Sequence, residues 1–144
     1  MNIRRRTPED EAACVAALAE VQRADRYPVD WPDDPWGWLA PAGLTSAWIA
    51  VEAGRVLGHV GLTRDGEIVR LFVTPPARGR GLAARLLDAV RAAARGPLKL
   101  EVSSEGEAAI AFYERSGWRR VGSSRAHWVN AAGEPALVHH YVTL

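Results

Sequence analysis

The chain has 144 residues, 48% of them hydrophobic and 24% charged, with a formal net charge of +1. A chain of this length can bury roughly 68–70% of the surface it exposes unfolded, so a single domain over 1–144 with a core and a cleft is within reach, and disorder is a poor reading. So small a net charge provides no polyanion field, which argues against nucleic acid as a partner and makes any anion site a local one.

"NIRRRTPEDEAACVAALAEVQR" reads as a short strand and then a helix. Thr7 suits the N-cap, Pro8 the first helical position, and Glu9, Asp10 and Glu11 the positive end of the dipole. Val15, Leu18 and Val21 supply a buried stripe. Cys14 falls inside this apolar pattern as the single cysteine, so no internal disulfide is available and the thiol reads as structural. A reducing, cytoplasmic location is expected. No window approaches the ~18 apolar residues a membrane span needs, and the N-terminus turns acidic where a signal peptide would turn apolar.

The next stretch, "ADRYPVDWPDDPWGWLAPAG", is rich in proline and tryptophan and long for a loop, which signals function or short helices within it. "AWIAVEAGRVLGHVGLTRDGEIVRLFVTP" reads as three strands with tight turns at Ala53-Gly54 and Asp65-Gly66. A helix follows, with Leu82, Leu86, Val90 and Ala94 on one side and Arg85, Asp88, Arg91 and Arg95 on the other, stopped by Gly96-Pro97. "LKLEVSS" is a fifth strand. "SEGEAAIAFYERSGW" opens with Ser104 and Glu107 in capping-box spacing and closes on Gly117. Two last strands are joined by a turn around Asn130 to Glu134.

The order is strand, helix, short helix, three strands, helix, strand, helix, two strands. It describes a single α/β (α+β) domain, with a mixed, mostly antiparallel central sheet of about six or seven strands flanked by about four helices.

Between the strand "IVRLFV" and the helix "LAARLLDAVRAAA" lies "TPPARGRG". Backbone N–H groups at a helix start lack intrahelical partners and the macrodipole adds positive charge there, so phosphate is a natural guest. Gly79 and Gly81 let main chain approach oxygen closely, and Arg78 and Arg80 add charge at the rim. A Walker loop or a dinucleotide fingerprint would need glycines and a lysine that are absent. A turn with solvated arginines remains the other reading of these residues alone.

This stretch resembles the acetyl-CoA-binding motif of the GCN5-related N-acetyltransferase (GNAT) superfamily, Gln/Arg-x-x-Gly-x-Gly/Ala after a strand, here Arg78-Gly79-Arg80-Gly81-Leu82-Ala83. "EAAIAFYERSGW" is similar to the family's helix ending in Tyr-x-x-x-Gly-aromatic, with Tyr113, Gly117 and Trp118 in those places. The spacing and order of elements agree over the whole chain. The resemblance implies a GNAT fold and acetyl-CoA as co-substrate, with no metal. It assigns the backbone of Leu71, Phe72 and Val73 to the pantetheine and acetyl group, and the backbone from Arg78 to Ala83, with Leu82 between, to the pyrophosphate. An amide near Val73 would polarise the thioester carbonyl. Tyr113 takes the place of the general acid that protonates the leaving thiolate. Gly106 departs from the pattern, since family members often carry asparagine there, and implies one lost side-chain contact to the cofactor.

The residues do not name the base. Glu67 and Glu101 are candidates beside a water chain, and both can equally be solvated or ion-paired. His59, His127, His139 and His140 have no metal-ligand spacing. The resemblance puts the acceptor at the 27–38 segment, where Tyr27, Trp31 and Trp36 with Asp30, Asp33 and Asp34 would suit a cationic amine. The same tryptophans can instead seal the core. The expected activity is N-acetylation of a small-molecule primary amine by direct attack in a ternary complex. A non-catalytic acyl-CoA-binding domain and a protein N-acetyltransferase are the alternatives, and a homodimer is left open.

Overall fold

The computed structural model describes residues 1–143. They form seven strands and four helices in the expected order: β1 (Asn2–Arg5), α1 (Glu11–Asp25), α2 (Pro35–Trp38), β2 (Leu44–Glu52), β3 (Arg55–Thr63), β4 (Ile68–Val73), α3 (Leu82–Ala93), β5 (Lys99–Ser103), α4 (Glu107–Arg115), β6 (Arg119–Val129) and β7 (Pro135–Val142). By its contacts the chain divides into two compact units, Met1–Ala94 and the part from Arg95 onward. The strands form two sheets, β1-β2-β3-β4 and β5-β7-β6, one in each unit. Every pairing within these two sheets is antiparallel.

In the first unit, Pro8 does begin helical structure, but as a 3-10 turn over Pro8–Asp10 that precedes α1. The Asp10 carboxylate explains the delay. It accepts the Thr7 amide at 2.8 Å and both Arg4 guanidinium nitrogens at 2.9 Å, which fixes the entry angle of the chain. Helix α1 buries Cys14, Ala17, Leu18 and Val21, and it ends where Arg26 turns left-handed with its N–H on the Gln22 carbonyl. Burial pushes the Cys14 thiol up to about 11.

Strand β3 is almost wholly buried because both faces of its sheet are covered. Ile49 and Val56 join the core under α1, whereas their neighbours Ala50 and Leu57 pack with Leu82 of α3. The β2–β3 hairpin turns on Ala53 and Gly54, both with positive φ, the signature of the type I′ turn that suits strand twist. The Asp65-Gly66 turn is wider than expected. Thr63 holds it by donating its amide to the Glu67 carbonyl, accepting the Gly66 amide on its own carbonyl and accepting the Glu67 amide on Oγ1.

In the second unit, β7 lies between β5 and β6, with Leu100, Val138 and Tyr141 buried. The β6–β7 turn is organised by Asn130, whose Oδ1 accepts the amides of Ala132 and Glu134. The capping box expected at Ser104 and Glu107 is not formed. Gly106 is the N-cap of α4, without a side-chain bond. Ser103 rather than Ser104 supplies the local hydroxyl, accepting the Glu105 amide at 3.2 Å. A serine two residues before the N-cap lies outside the geometry that a capping box needs.

Candidate active site

Strand β4 leads into a loop built to leave main chain uncovered. Thr74 is buried with its N–H on the Leu57 carbonyl, a 3-10 turn runs over Pro75–Ala77, and Arg78 is extended. Gly79 and Gly81 then take φ values of +82° and +75°, a region that side-chain-bearing residues rarely adopt. Gly81 is the N-cap of α3 and carries no capping side chain. The first α3 amides therefore have no intrahelical acceptor. A Cβ added at Gly79 or Gly81 would meet nothing within 4 Å, so these glycines border open space rather than packed protein. An anion's oxygens fit such a cradle.

The two rim arginines are occupied. Arg78 pairs with Asp25 through both terminal nitrogens, and its Nε donates to the Val73 carbonyl at 3.1 Å. Arg80 donates to Glu52 at 3.0 Å, and the N-terminal ammonium lies 3.6 Å from the same oxygen. The pairs hold both guanidinium groups beside the loop before any ligand arrives.

Upstream, β4 is bulged. His59 faces Phe72 and Gly61 faces Val69, so Arg70 and Leu71 together oppose Val60. Arg70 has φ +54° without being glycine, a conformation that costs roughly 1–2 kcal/mol and must be held by its surroundings. The holders are visible. His59 Nδ1 lies 2.9 Å from the Arg70 carbonyl, Arg70 Nε donates to the Trp38 carbonyl at 2.8 Å, and the guanidinium sits 3.7 Å from the Trp38 ring centroid. His59 is fully buried, and burial pushes its pKa down to about 4, with Arg6 and Arg70 acting in the same direction. None of Arg6, His59 and Arg70 was singled out as a site residue from sequence, because nothing in the pattern marks an arginine for the left-handed region.

The expected acceptor residues separate in role. Tyr27 packs edge-on against Trp38 with ring centroids 5.5 Å apart, at the margin of the core under α1. Trp36 touches the same core and carries the Arg6 guanidinium 4.4 Å from its centroid. Trp31 is 42% exposed. Asp34 is a cap, accepting the Gly37 amide at 3.0 Å. Two of the tryptophans thus already hold a cation, and both cations are arginines of the chain itself. A shallow depression of about 470 Å3 nevertheless opens beside them, lined by Glu9, Glu11, Val15, Asp34 and Trp36.

In the second unit, Tyr113 is buried and lies in the last turn of α4. The Trp118 amide donates to the Tyr113 carbonyl at 3.0 Å and the Gly117 amide to that of Glu114 at 3.4 Å, with Gly117 at φ +89°. These are the two bonds of a Schellman cap, and its accompanying apolar contact is the Tyr113–Trp118 ring pair at 5.9 Å. The Tyr-x-x-x-Gly-aromatic spacing is thereby accounted for as a helix stop that fixes the tyrosine's place. Glu101 faces His140 across the β5–β7 ladder, 3.5 Å from its Nδ1. Glu67 lies in the β3–β4 turn.

The acetyltransferase (GNAT) domain family matches residues 39–128. The N-alpha-acetyltransferase RimI of Mycobacterium tuberculosis is 31% identical over 139 residues, covering 85% of this chain and 88% of that protein. The mycothiol acetyltransferase of Gordonia bronchialis is 32% identical over 130 residues, 76% of this chain and 42% of that protein, so the chain spans less than half of that relative. Among solved structures, the ribosomal-protein-S18-alanine N-acetyltransferase of Escherichia coli superposes with a TM-score of 0.77 at 17% identity, covering 99% of this chain and 92% of the other. NAA60 of Arabidopsis thaliana in complex with acetyl-CoA gives 0.76 at 18% identity, covering 98% and 96%. At these identities the likeness is one of fold.

Proposed function

Because the chain belongs to the acetyltransferase (GNAT) superfamily and is an acetyl-CoA-dependent N-acetyltransferase, we propose that residues 1–144 work as one catalytic domain acetylating a primary amine by direct attack. The family match at 39–128 runs across the boundary between the two units, which supports treating them as one domain. The observation that carries the cofactor assignment is the loop at the start of α3, where two glycines with positive φ border open space beside two arginines.

In this reading the amides from Arg78 to Ala83 hold the pyrophosphate, and the β4 backbone at Leu71, Phe72 and Val73 pairs with pantetheine and the acetyl group. A β4 amide near Val73 stabilises the oxyanion that forms when the amine nitrogen attacks the thioester carbon. The C–N bond forms, the C–S bond breaks, and Tyr113 gives its phenolic proton to the departing thiolate. The acceptor ammonium loses its proton before attack, and a water chain relays that proton without a dedicated side chain.

The acceptor is read as a small amine with cationic character, because the depression beside α2 gathers the carboxylates of Glu9, Glu11 and Asp34. A protein α-amine is the second reading, favoured by the similarity to an N-alpha-acetyltransferase over 85% of the chain. The test is release of CoA thiol from acetyl-CoA with two panels, small primary amines and peptides with free N-termini. Turnover of small amines supports the first reading, and turnover of peptides alone moves the acceptor to the second. No turnover with either panel by a folded, acetyl-CoA-binding protein contradicts both.

A further inference from the structure

Arg6, His59 and Arg70 form a chain of contacts reaching from the end of β1 to the bulge of β4. Arg6 Nη1 lies 2.9 Å from His59 Nε2, and it also donates to the Leu39 carbonyl at 2.8 Å. A guanidinium has only donors, so Nε2 must accept, and the single ring proton must reside on Nδ1. Nδ1–H then donates to the Arg70 carbonyl at 2.9 Å. The imidazole is fully buried and stacks on Phe72, its partner in the ladder, with centroids 5.3 Å apart and planes 8° from parallel. Packing alone would be served by an apolar side chain of similar volume, without burying polar groups that have to be satisfied. What the imidazole adds is a fixed direction for one carbonyl, that of the single β4 residue in the left-handed region.

We propose that His59 is a positioning residue for acetyl transfer: by holding the Arg70 carbonyl it sets the bulge and aims the Leu71 and Val73 amides, while Arg6 fixes the tautomer this requires. The inference rests on the reading that β4 main chain meets the acetyl group. The residues that follow the bulge, Leu71 to Val73, are those assigned to it. An amide displaced by a fraction of an ångström serves binding nearly as well, but it meets a developing oxyanion poorly. The signature of His59 is therefore a loss in kcat rather than in cofactor affinity.

The variants are His59→Gln and His59→Asn. Asparagine puts an amide N–H near the Nδ1 position, whereas glutamine places its polar end toward Arg6 and vacates the carbonyl. In the folded Gln variant kcat falls about 10- to 100-fold, with acetyl-CoA affinity and acceptor KM within about 3-fold of the parent; Asn restores kcat to within about 3-fold. In the ligand-free protein, the amide resonances of Leu71 and Val73 move in the Gln variant and return in the Asn variant. That readout does not depend on activity, so it still decides the role of His59 if acetyl-CoA fails to bind and the functional reading falls. If His59→Gln does not fold, Arg6→Met, at a half-buried position, frees the tautomer and is expected to move the same two resonances. Unmoved resonances in a folded variant, unchanged kcat in His59→Gln, or equal loss in Gln and Asn would each overturn the proposal.

Discussion

Arg78 and Asp25 are joined through both terminal nitrogens of the guanidinium, so an arginine assigned to the phosphate loop already holds a carboxylate from the end of α1. An incoming pyrophosphate has to share Arg78 with this carboxylate. Asp25→Asn removes the competing charge and is expected to tighten acetyl-CoA binding about 2- to 5-fold, the worth of an exposed ion pair. The gain should shrink as salt is added. Calorimetry of both proteins at two ionic strengths reads this out, and weaker binding by the variant would mean that Asp25 serves to orient Arg78 instead.

Gly79→Ala and Gly81→Ala separate folding from binding. Each new methyl projects into open space, so the penalty to the fold is that of a left-handed alanine, about 1–2 kcal/mol by denaturant titration. Acetyl-CoA affinity should fall at least about tenfold, because the methyl stands where phosphate oxygens must approach the backbone. Unaltered affinity in a folded variant would remove the loop from the cofactor site.

Tyr113→Phe keeps the ring that closes the α4 cap against Trp118. Loss of the hydroxyl is expected to lower kcat about 10²- to 10⁴-fold at unchanged acetyl-CoA affinity. Gly117→Ala is the complementary control. It strains the cap at φ +89°, and should lower the melting temperature.

Acid should weaken the fold in two windows. Burial lowers the His59 pKa to about 4 from an ordinary value of 6.5, so between these the unfolded chain takes up a proton that the native protein refuses. The His59 contribution is complete above pH 6.5 and is lost as pH falls, by about 3 kcal/mol at pH 4. Asp10, held by Arg4 at about 2 against an ordinary 3.8, follows the same sign in a lower window, its contribution present above pH 3.8 and lost toward pH 2. Urea titrations from pH 7 to 4 should show a smaller decline for His59→Asn than for the parent. Parallel declines would show that the imidazole titrates normally in the native state.

What could be read from the chain before its structure was the local grammar. Gly81 ahead of an amphipathic run, Gly54 in the β2–β3 turn and Gly117 closing α4 all use residues whose chemistry specifies the backbone. The bulge at Arg70 was not legible, since its conformation is imposed by His59 and Trp38, which lie 11 and 32 positions away in the chain. The aromatic segment was legible only in part. Its tryptophans stand out in composition, but that Trp36 and Trp38 carry Arg6 and Arg70 depends on tertiary placement. Ser104 misled for the opposite reason, because the spacing to Glu107 was right while the N-cap fell on Gly106.

Calorimetric titration of the purified protein with acetyl-CoA, beside free CoA and dephospho-CoA, tests the assignment on which the rest depends. Micromolar or tighter binding of acetyl-CoA, weakened in Gly81→Ala, is the predicted result. Absence of binding by a folded protein would contradict it, leaving the loop from Arg78 to Ala83 as a turn with two ion-paired arginines.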